Sequence, residues 1–371
     1  MEILFITSIH PPFDPRIYHK MFCSLTNQGF DVKILLPNQV KLSNENKDFI
    51  SFNGFQGRFS RLFNDFILFK LCISIKPKLV IFFDPDLLLF MGIYKLLFNT
   101  KIIYDNHEDY PSYIMVKESI PLWIRRIIKL AYIVNFYVAK HMLDYIIYAD
   151  QFTSGINLRK SNEIIIYNYP IVTNISTVEK KYDLIYPGSL DLSVCQRLLS
   201  IAEELERTSA EKIKFLIIGR DVSDTNRIFI NSFIKKLQNV EIIFFEDLSF
   251  TSVQKYISES KIGLIPLPDI EKFRRNIPTK LFEYMLHSIP ILASDLPPIS
   301  YFLGSTDGNI SIKEEKYYCS YAKKILEILG NYFSFSEASK GNFNLLREKW
   351  NWNKTEEPKL LKMIHDLVGE S

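Results

Sequence analysis

Ile277-Pro-Thr-Lys-Leu-Phe-Glu-Tyr-Met-Leu-His-Ser-Ile-Pro-Ile-Leu-Ala-Ser294 reads as a helix followed at once by a buried strand. Pro278 suits the first helical position, where its missing N–H would have no partner anyway. Thr279 and Lys280 then fall in the first turn, where free backbone N–H groups and the positive end of the helix dipole attract an anion. Glu283 follows one turn later, within reach of a ribose diol whose phosphates sit on the helix start. On spacing alone, an amphipathic helix with a solvated Lys and Glu fits equally well. The apolar run 290–293 has the short, continuous pattern of a strand covered on both faces.

The same alternation extends outward in both directions. Residues 2–8 form a short apolar run that ends in the polar loop 10–16. Residues 18–28 carry helical apolar spacing and stop at Gly29, and residues 31–36 give the next strand. Strands are predicted again at 78–83, 101–104, 145–148 and 163–167. A second series follows at 183–186, 214–218, 240–244, 262–266 and 290–293, with helical stretches between. Two doubly wound parallel sheets in tandem are expected, whose ligands bind beyond the carboxyl ends of the strands. The polar stretch 168–178, which holds Pro170, suits a linker. The expected division is 1–170, 179–345 and a tail of 346–371; residues 343–368 read as a Trp-containing helical segment cut by Pro358.

At 371 residues, two domains of roughly 100–200 residues each are the default. A hydrophobic content of 47% fits a globular chain, and a net charge of +3 gives no case for nucleic acid. Cys23, Cys72, Cys195 and Cys319 are scattered without metal-ligand spacing and read as buried thiols in a reducing compartment. The most apolar stretch, 79–98, is interrupted by Asp84, Pro85, Asp86 and Lys95, which makes it a poor spanning helix. No secretory signal is evident, so a cytoplasmic protein is expected, either soluble or peripheral on the inner face of the plasma membrane. Asp84 and Asp86 sit at a strand end, where Pro85 favours reading them as turn formers.

Pro-Thr-Lys-Leu-Phe-Glu-Tyr-Met (278–285), followed by Ile-Pro-Ile-Leu-Ala-Ser (289–294), resembles the donor-binding helix of family 4 glycosyltransferases with the GT-B fold. His-Pro-Pro-Phe-Asp-Pro-Arg-Ile (10–17), Tyr-Asp-Asn-His-Glu-Asp-Tyr-Pro (104–111) and Asn-Tyr-Pro (168–170) are similar to motifs of a bacterial subgroup of that family. The resemblance spans nearly the whole chain. It implies two Rossmann-like domains facing across a cleft, with C-terminal helices crossing back to the first domain. It also implies sugar transfer from a nucleotide-diphosphate sugar to a glycan or lipid-linked glycan, with retention, no divalent metal and no cofactor. Surface polysaccharide synthesis is the implied setting.

By the same resemblance, Glu283 is the second acid of a Glu-x7-Glu motif and binds ribose. Lys280 and the backbone of Thr279 and Leu281 lie near the diphosphate, and Ser294 ends the strand behind the site. His107 matches a histidine that approaches the donor sugar. Glu108 and Asp109 either orient acceptor hydroxyls or are simply solvated. Three departures stand out. Arg275 occupies the place of the first motif acid. The stretch from Gly188 to Cys195, counted on the donor side, lacks the usual basic pair. Ser288 replaces the glycine that ends the donor helix. A departing diphosphate needs fixed cations. Arg274 or Arg275 with Lys280 is the first candidate set, and Arg16 and Arg220 are further candidates.

The segment 117–140 combines Trp123, Tyr132, Phe136 and Tyr137 with Lys117, Arg125, Arg126, Lys129 and Lys140. It reads either as a face for an anionic membrane or as a domain helix with its apolar side inward. Two other functions fit the same architecture. A nucleotide-sugar 2-epimerase would need acid and base groups at C2 of the sugar. A degenerate, non-enzymatic binding subunit would explain Arg275 and the lost basic pair.

Overall fold

The computed structural model describes residues 2–37, 47–55, 60–107, 109–117, 120–153, 162–172, 178–220, 222–304, 308–313 and 318–369. The chain divides into two compact units, Met1–Asn168 with Trp352–Ser371, and Tyr169–Asn351. In the first unit, β1 (Ile3–Ile6), β2 (Val32–Pro37), β3 (Phe49–Phe52), β4 (Leu79–Phe82), β5 (Lys101–Asn106), β6 (Tyr145–Tyr148) and β7 (Glu163–Ile165) form one sheet. Its order is β3-β2-β1-β4-β5-β6-β7, and every pairing is parallel. The central strands β1 and β4 are buried at every residue, as parallel strands covered on both faces must be.

The chain moves one way along this sheet from β1 to β3 and the other way from β4 onward. Right-handed crossovers therefore place the intervening helices on opposite faces. One face receives α1 (Cys23–Asn27), continuous with a π-helical turn at Ile17–Phe22. The other receives α2 (Ser60–Ile75), α3 (Leu88–Leu97), α4 (Tyr110–Met115) and α5 (Leu122–Ala139). α3 packs beside both α2 and α5, and their inner sides join Leu4, Val80, Phe82 and Ile146 in one core.

The second unit carries β8 (Tyr182–Ser189), α6 (Leu192–Thr208), β9 (Ile213–Arg220), α7 (Asp224–Ile234), β10 (Val240–Glu246), α8 (Phe250–Ser258) and β11 (Ser260–Ile265). Then come α9 (Glu271–Arg274), α10 (Lys280–Leu286), β12 (Ile291–Ser294), α11 (Pro297–Leu303), β13 (Asn309–Ile312), α12 (Cys319–Gly330) and α13 (Tyr332–Glu348). The sheet order is β10-β9-β8-β11-β12-β13, again all parallel. Side chains cap the helices that follow the first three strands. Asp191 accepts from Val194 N at 2.9 Å, Ser223 from Asn226 N at 3.2 Å and Ser249 from Ser252 N at 3.2 Å. Each such cap is worth about 1 kcal/mol.

The last helix, α14 (Glu357–Val368), packs on α1 and on the π-helical turn of the first unit. Trp352, fully buried, donates from Nε1 to Ser24 Oγ at 3.0 Å, and Glu356 accepts from the Tyr167 N–H at 2.8 Å.

Several expectations are corrected here. β3 and β13 were not anticipated. Pro358 does not cut a helix: it stands in the first turn of α14, and the break lies between α13 and Trp352. Cys72 and Cys195 are buried, whereas Cys23 is half-buried and Cys319, opening α12, is exposed. Part of the 168–178 stretch, residues 173–177, lies outside the described residues.

Candidate functional site

In both sheets the strand order reverses beside the unit's first strand, between β1 and β4 and between β8 and β11. Loops diverge at such a point, leaving a crevice at the carboxyl ends of the strands. Candidate chemistry gathers at both points.

In the second unit, Gly188, the last residue but one of β8, takes φ +147°. A Cβ there would lie 2.5 Å from Lys280 Nζ and 3.2 Å from its Cε, so a side chain at this position would displace the lysine ammonium. The Lys280 ammonium stands 3.6 Å from the centroid of the buried Tyr186 ring, a cation–π contact. Burial pushes this ammonium down to about 7; Glu283 and Asp191 oppose the shift, and Arg220 adds to it. Arg220, at the end of β9, is exposed and hydrogen-bonded to no described carboxylate. Two cations, neither hydrogen-bonded to a carboxylate among the described residues, thus lie near Gly188. That arrangement fits a diphosphate.

α10 is held at this point by Tyr284. Its hydroxyl lies 3.2 Å from the Ile185 carbonyl on β8 and 3.1 Å from the Leu264 carbonyl on β11. Its ring lies flat on Gly263, where a Cβ would come within 2.4 Å of a ring carbon. At the other end, Ser288 N bonds Met285 O at 3.1 Å and Ile289 N bonds Tyr284 O at 3.3 Å, the double closure of a Schellman motif. Ser288 takes φ +52° there, the conformation that favours glycine.

The structure sorts the expected donor residues. Lys280, Gly188 and Arg220 come together, with Glu283 one turn along α10. Thr279 is exposed at the helix start, and its carbonyl accepts from Phe282 N and Glu283 N. Leu281 is fully buried and its N–H is already bonded to Pro278 O, so no free N–H remains there for a ligand. Arg274 makes a two-pronged contact with Asp269, and Arg275 pairs with Glu271 at 2.7 Å; both are held by carboxylates. Ser294 is buried and shares a hydrogen bond with Tyr321 Oη at 2.8 Å. Arg16 is also corrected. It is 3% exposed and donates to both Asp105 oxygens, at 2.7 and 2.8 Å, and to Ile166 O at 3.1 Å. It ties β5 to the chain after β7 instead of presenting a charge to a ligand. Tyr186, Tyr284 and Gly263 were missed, because their roles exist only once distant strands are neighbours.

The first unit offers a different chemistry. A pocket of about 130 Å³ opens beyond β1, β4 and β5, lined among others by His10, Arg61, Asp86, His107, Tyr110 and Tyr113. His107 Nε2 lies 3.1 Å from His10 Nε2, and His107 Nδ1 lies 3.2 Å from the Asp105 carbonyl. Two imidazole nitrogens at this distance share one proton. With His107 Nδ1–H on the carbonyl, His10 becomes the donor of the pair.

His10 is flanked by Asp84 Oδ1 at 3.4 Å and Asp14 Oδ2 at 3.7 Å. Burial alone would raise the Asp14 carboxyl, yet the hydrogen bond and charge of His10 carry it below the usual carboxylate range. Asp84 is fully buried, accepting from Thr7 Oγ1 at 2.8 Å and Ser8 N at 2.6 Å, and it precedes the 3-10 turn Pro85–Leu87, which contains Asp86. The turn reading of these acids holds, and both also line the pocket. Burial, with Asp86 and Asp84 nearby, pushes the Asp65 carboxyl up to about 7. Asp109 is buried and bonded to Ser112 Oγ, and Glu108 lies outside the described residues.

No curated protein sequence matches the chain. Across the whole chain, the structure is similar to a sucrose-phosphate synthase from Thermosynechococcus elongatus, with a TM-score of 0.74 at 13% identity and 100% of each chain covered. It is similar to a glycosyltransferase from Rickettsia africae, with a TM-score of 0.69 at 13% identity over 100% of this chain and 99% of the other. It is also similar to Anabaena Alr3699/HepE in complex with UDP-glucose, with a TM-score of 0.71 at 11% identity over 99% of this chain and 100% of the other. At these identities the likeness speaks to the fold, which is GT-B. Within that fold, residues 181–331, which hold Gly188, Arg220 and Lys280, match the family model described as glycosyl transferases group 1.

Proposed function

We propose that the protein is a glycosyltransferase that takes a sugar from a nucleotide-diphosphate sugar, with the diphosphate held in the second unit by Lys280 and Arg220. The observation that carries this reading is the pair of cations beside Gly188, inside the stretch matched by the family model. A uridine nucleotide is the first donor to test, because the similar Anabaena protein was solved with UDP, with UDP and glucose, and with UDP-glucose. Glu283 is assigned to the ribose. Arg274 and Arg275 are not needed for the diphosphate in this reading, since Asp269 and Glu271 already neutralise them.

The chemistry follows from the charges. The bond between the anomeric carbon and the diphosphate oxygen breaks, and an acceptor hydroxyl oxygen bonds to the same carbon. The hydroxyl proton passes to the departing diphosphate, so no separate carboxylate base is required. Fixed cations stabilise the charge as it develops. We assign the transfer as retaining, metal-independent and of a hexosyl group, with a glycan or lipid-linked glycan as acceptor in bacterial surface polysaccharide synthesis. The first unit's pocket, with its imidazole pair, carboxylates and tyrosines, is assigned to sugar hydroxyls.

A transfer assay with UDP-, GDP-, dTDP- and ADP-sugars tests this. Release of nucleoside diphosphate that depends on added acceptor is expected. Nucleotide binding with no turnover for any donor and acceptor would favour the binding-subunit reading, for which Arg275 in place of the motif acid is the supporting feature. Donor consumption without acceptor would favour the epimerase.

A further inference from the structure

The outer side of the helical layer over β4, β5 and β6 is apolar where a solvent-facing side is ordinarily polar. α5 turns Tyr132 and Ala139 toward the sheet. Its other side carries Trp123, Ile127, Leu130, Val134 and Tyr137 at spacings of three and four residues, each more than half exposed. α3, packed beside α5, continues the surface with Leu89 and Leu96, which are 57% and 75% exposed. α2, packed beside α3, adds Leu62 and Phe63. Three neighbouring helices on one sheet face thus present one apolar surface. Contiguous patches of this kind mark a contact with another phase or partner.

We propose that this face docks the protein on an anionic lipid bilayer. The charges decide the occupant. α5 contains Arg125, Arg126 and Lys129 and no acidic residue, and α3 contains Lys95 as its one charged residue. The single acid of α2, Asp65, is 2% exposed. Arg125 is bonded to the Ile120 and Met115 carbonyls and Lys95 to Asp144, which leaves the exposed Arg126 and the half-buried Lys129 as the cations of α5 for a ligand. A second copy meeting this face in a two-fold dimer would set the same cations against each other. Anionic headgroups complement them. Trp123 and Tyr137 stand at the two ends of the α5 stripe, the residue types that settle at headgroup depth. Among the described residues no helix is long and apolar enough to cross a membrane, so the contact lies on the surface.

Flotation of the full chain with vesicles of phosphatidylcholine alone, and of phosphatidylcholine mixed with phosphatidylglycerol, tests this without reference to sugar transfer. Binding is expected to the mixed vesicles only, weakening as salt rises. Arg126→Glu with Lys129→Glu is expected to lower the partition coefficient at least about tenfold. Trp123→Ser with Leu130→Ser should lower it by a similar factor through lost apolar contact. Trp123, Arg126 and Leu130 are exposed and Lys129 is half-buried, so circular dichroism and melting should match the wild type. Two results would overturn the proposal: absence of flotation with anionic vesicles, or flotation that neither double variant reduces. A dimer in sedimentation that Trp123→Ser with Leu130→Ser dissociates, without flotation, would assign the face to a second copy.

Discussion

The two units repeat one architecture and differ in the electrostatics of their strand-order reversals. At β8 and β11, Lys280 and Arg220 meet beside Gly188. At β1 and β4, His10 meets His107 and is flanked by Asp14 and Asp84. The topology puts a ligand crevice in the same place in each, and the strand-end residues decide what enters it. A cationic crevice suits a diphosphate; an imidazole and carboxylate crevice suits hydroxyl groups.

The comparison is most exposed to a change at Lys280. Lys280→Met is expected to lower turnover about 10²–10³-fold, the range for removing one preorganised group that stabilises developing charge. A steady-state transfer assay reads it. Next in size is Gly263→Ala, which forces a methyl group into the Tyr284 ring and displaces the anchor of α10. A stability loss of about 1–3 kcal/mol in chemical denaturation is expected, with weaker nucleotide binding.

His10→Phe removes the imidazole partner of His107. A roughly tenfold fall in turnover is expected with the affinity for UDP unchanged, comparable to losing an outer partner that orients an active imidazole. Parallel loss of UDP affinity would mean that the two crevices do not divide their tasks.

A pH series sharpens the same division. Free Lys280 titrates near about 7, and a bound diphosphate favours its charged form. The complex therefore holds more protons than the free protein, and affinity for a UDP-sugar must fall as pH rises through neutrality. Calorimetry across that range should show the fall in the wild type and a flat profile in Lys280→Met. The smallest expected effect is Ser288→Gly. It relieves a left-handed serine at the end of α10 and should add about 0.5–1 kcal/mol of stability in thermal melting.

The sequence makes the alternation of strands and helices legible because parallel strands such as Ile3–Ile6 and Leu79–Phe82 are continuous apolar runs. The strands it hides are the edges. Phe49–Phe52 is half-exposed along most of its length and Asn309–Ile312 opens on a polar residue, so each becomes a strand only through its neighbour's hydrogen bonds. Lys280 and Glu283 are legible as a local helical spacing. Arg220 gains its meaning from β9 lying beside β8. Arg16 misleads for the same reason: its partner Asp105 is 89 residues away, and a lone Arg after a strand looks the same whether it meets a ligand or a buried carboxylate.

The central claim is that Lys280, not Arg274 or Arg275, grips the diphosphate. Calorimetric titration of UDP into the wild type, Lys280→Met and Arg274→Met below neutral pH tests it most directly. Lys280→Met is expected to weaken binding by about tenfold or more, the cost of losing a charge-assisted contact, with Arg274→Met close to the wild type. Unchanged affinity in Lys280→Met, or a comparable loss in Arg274→Met, would contradict it.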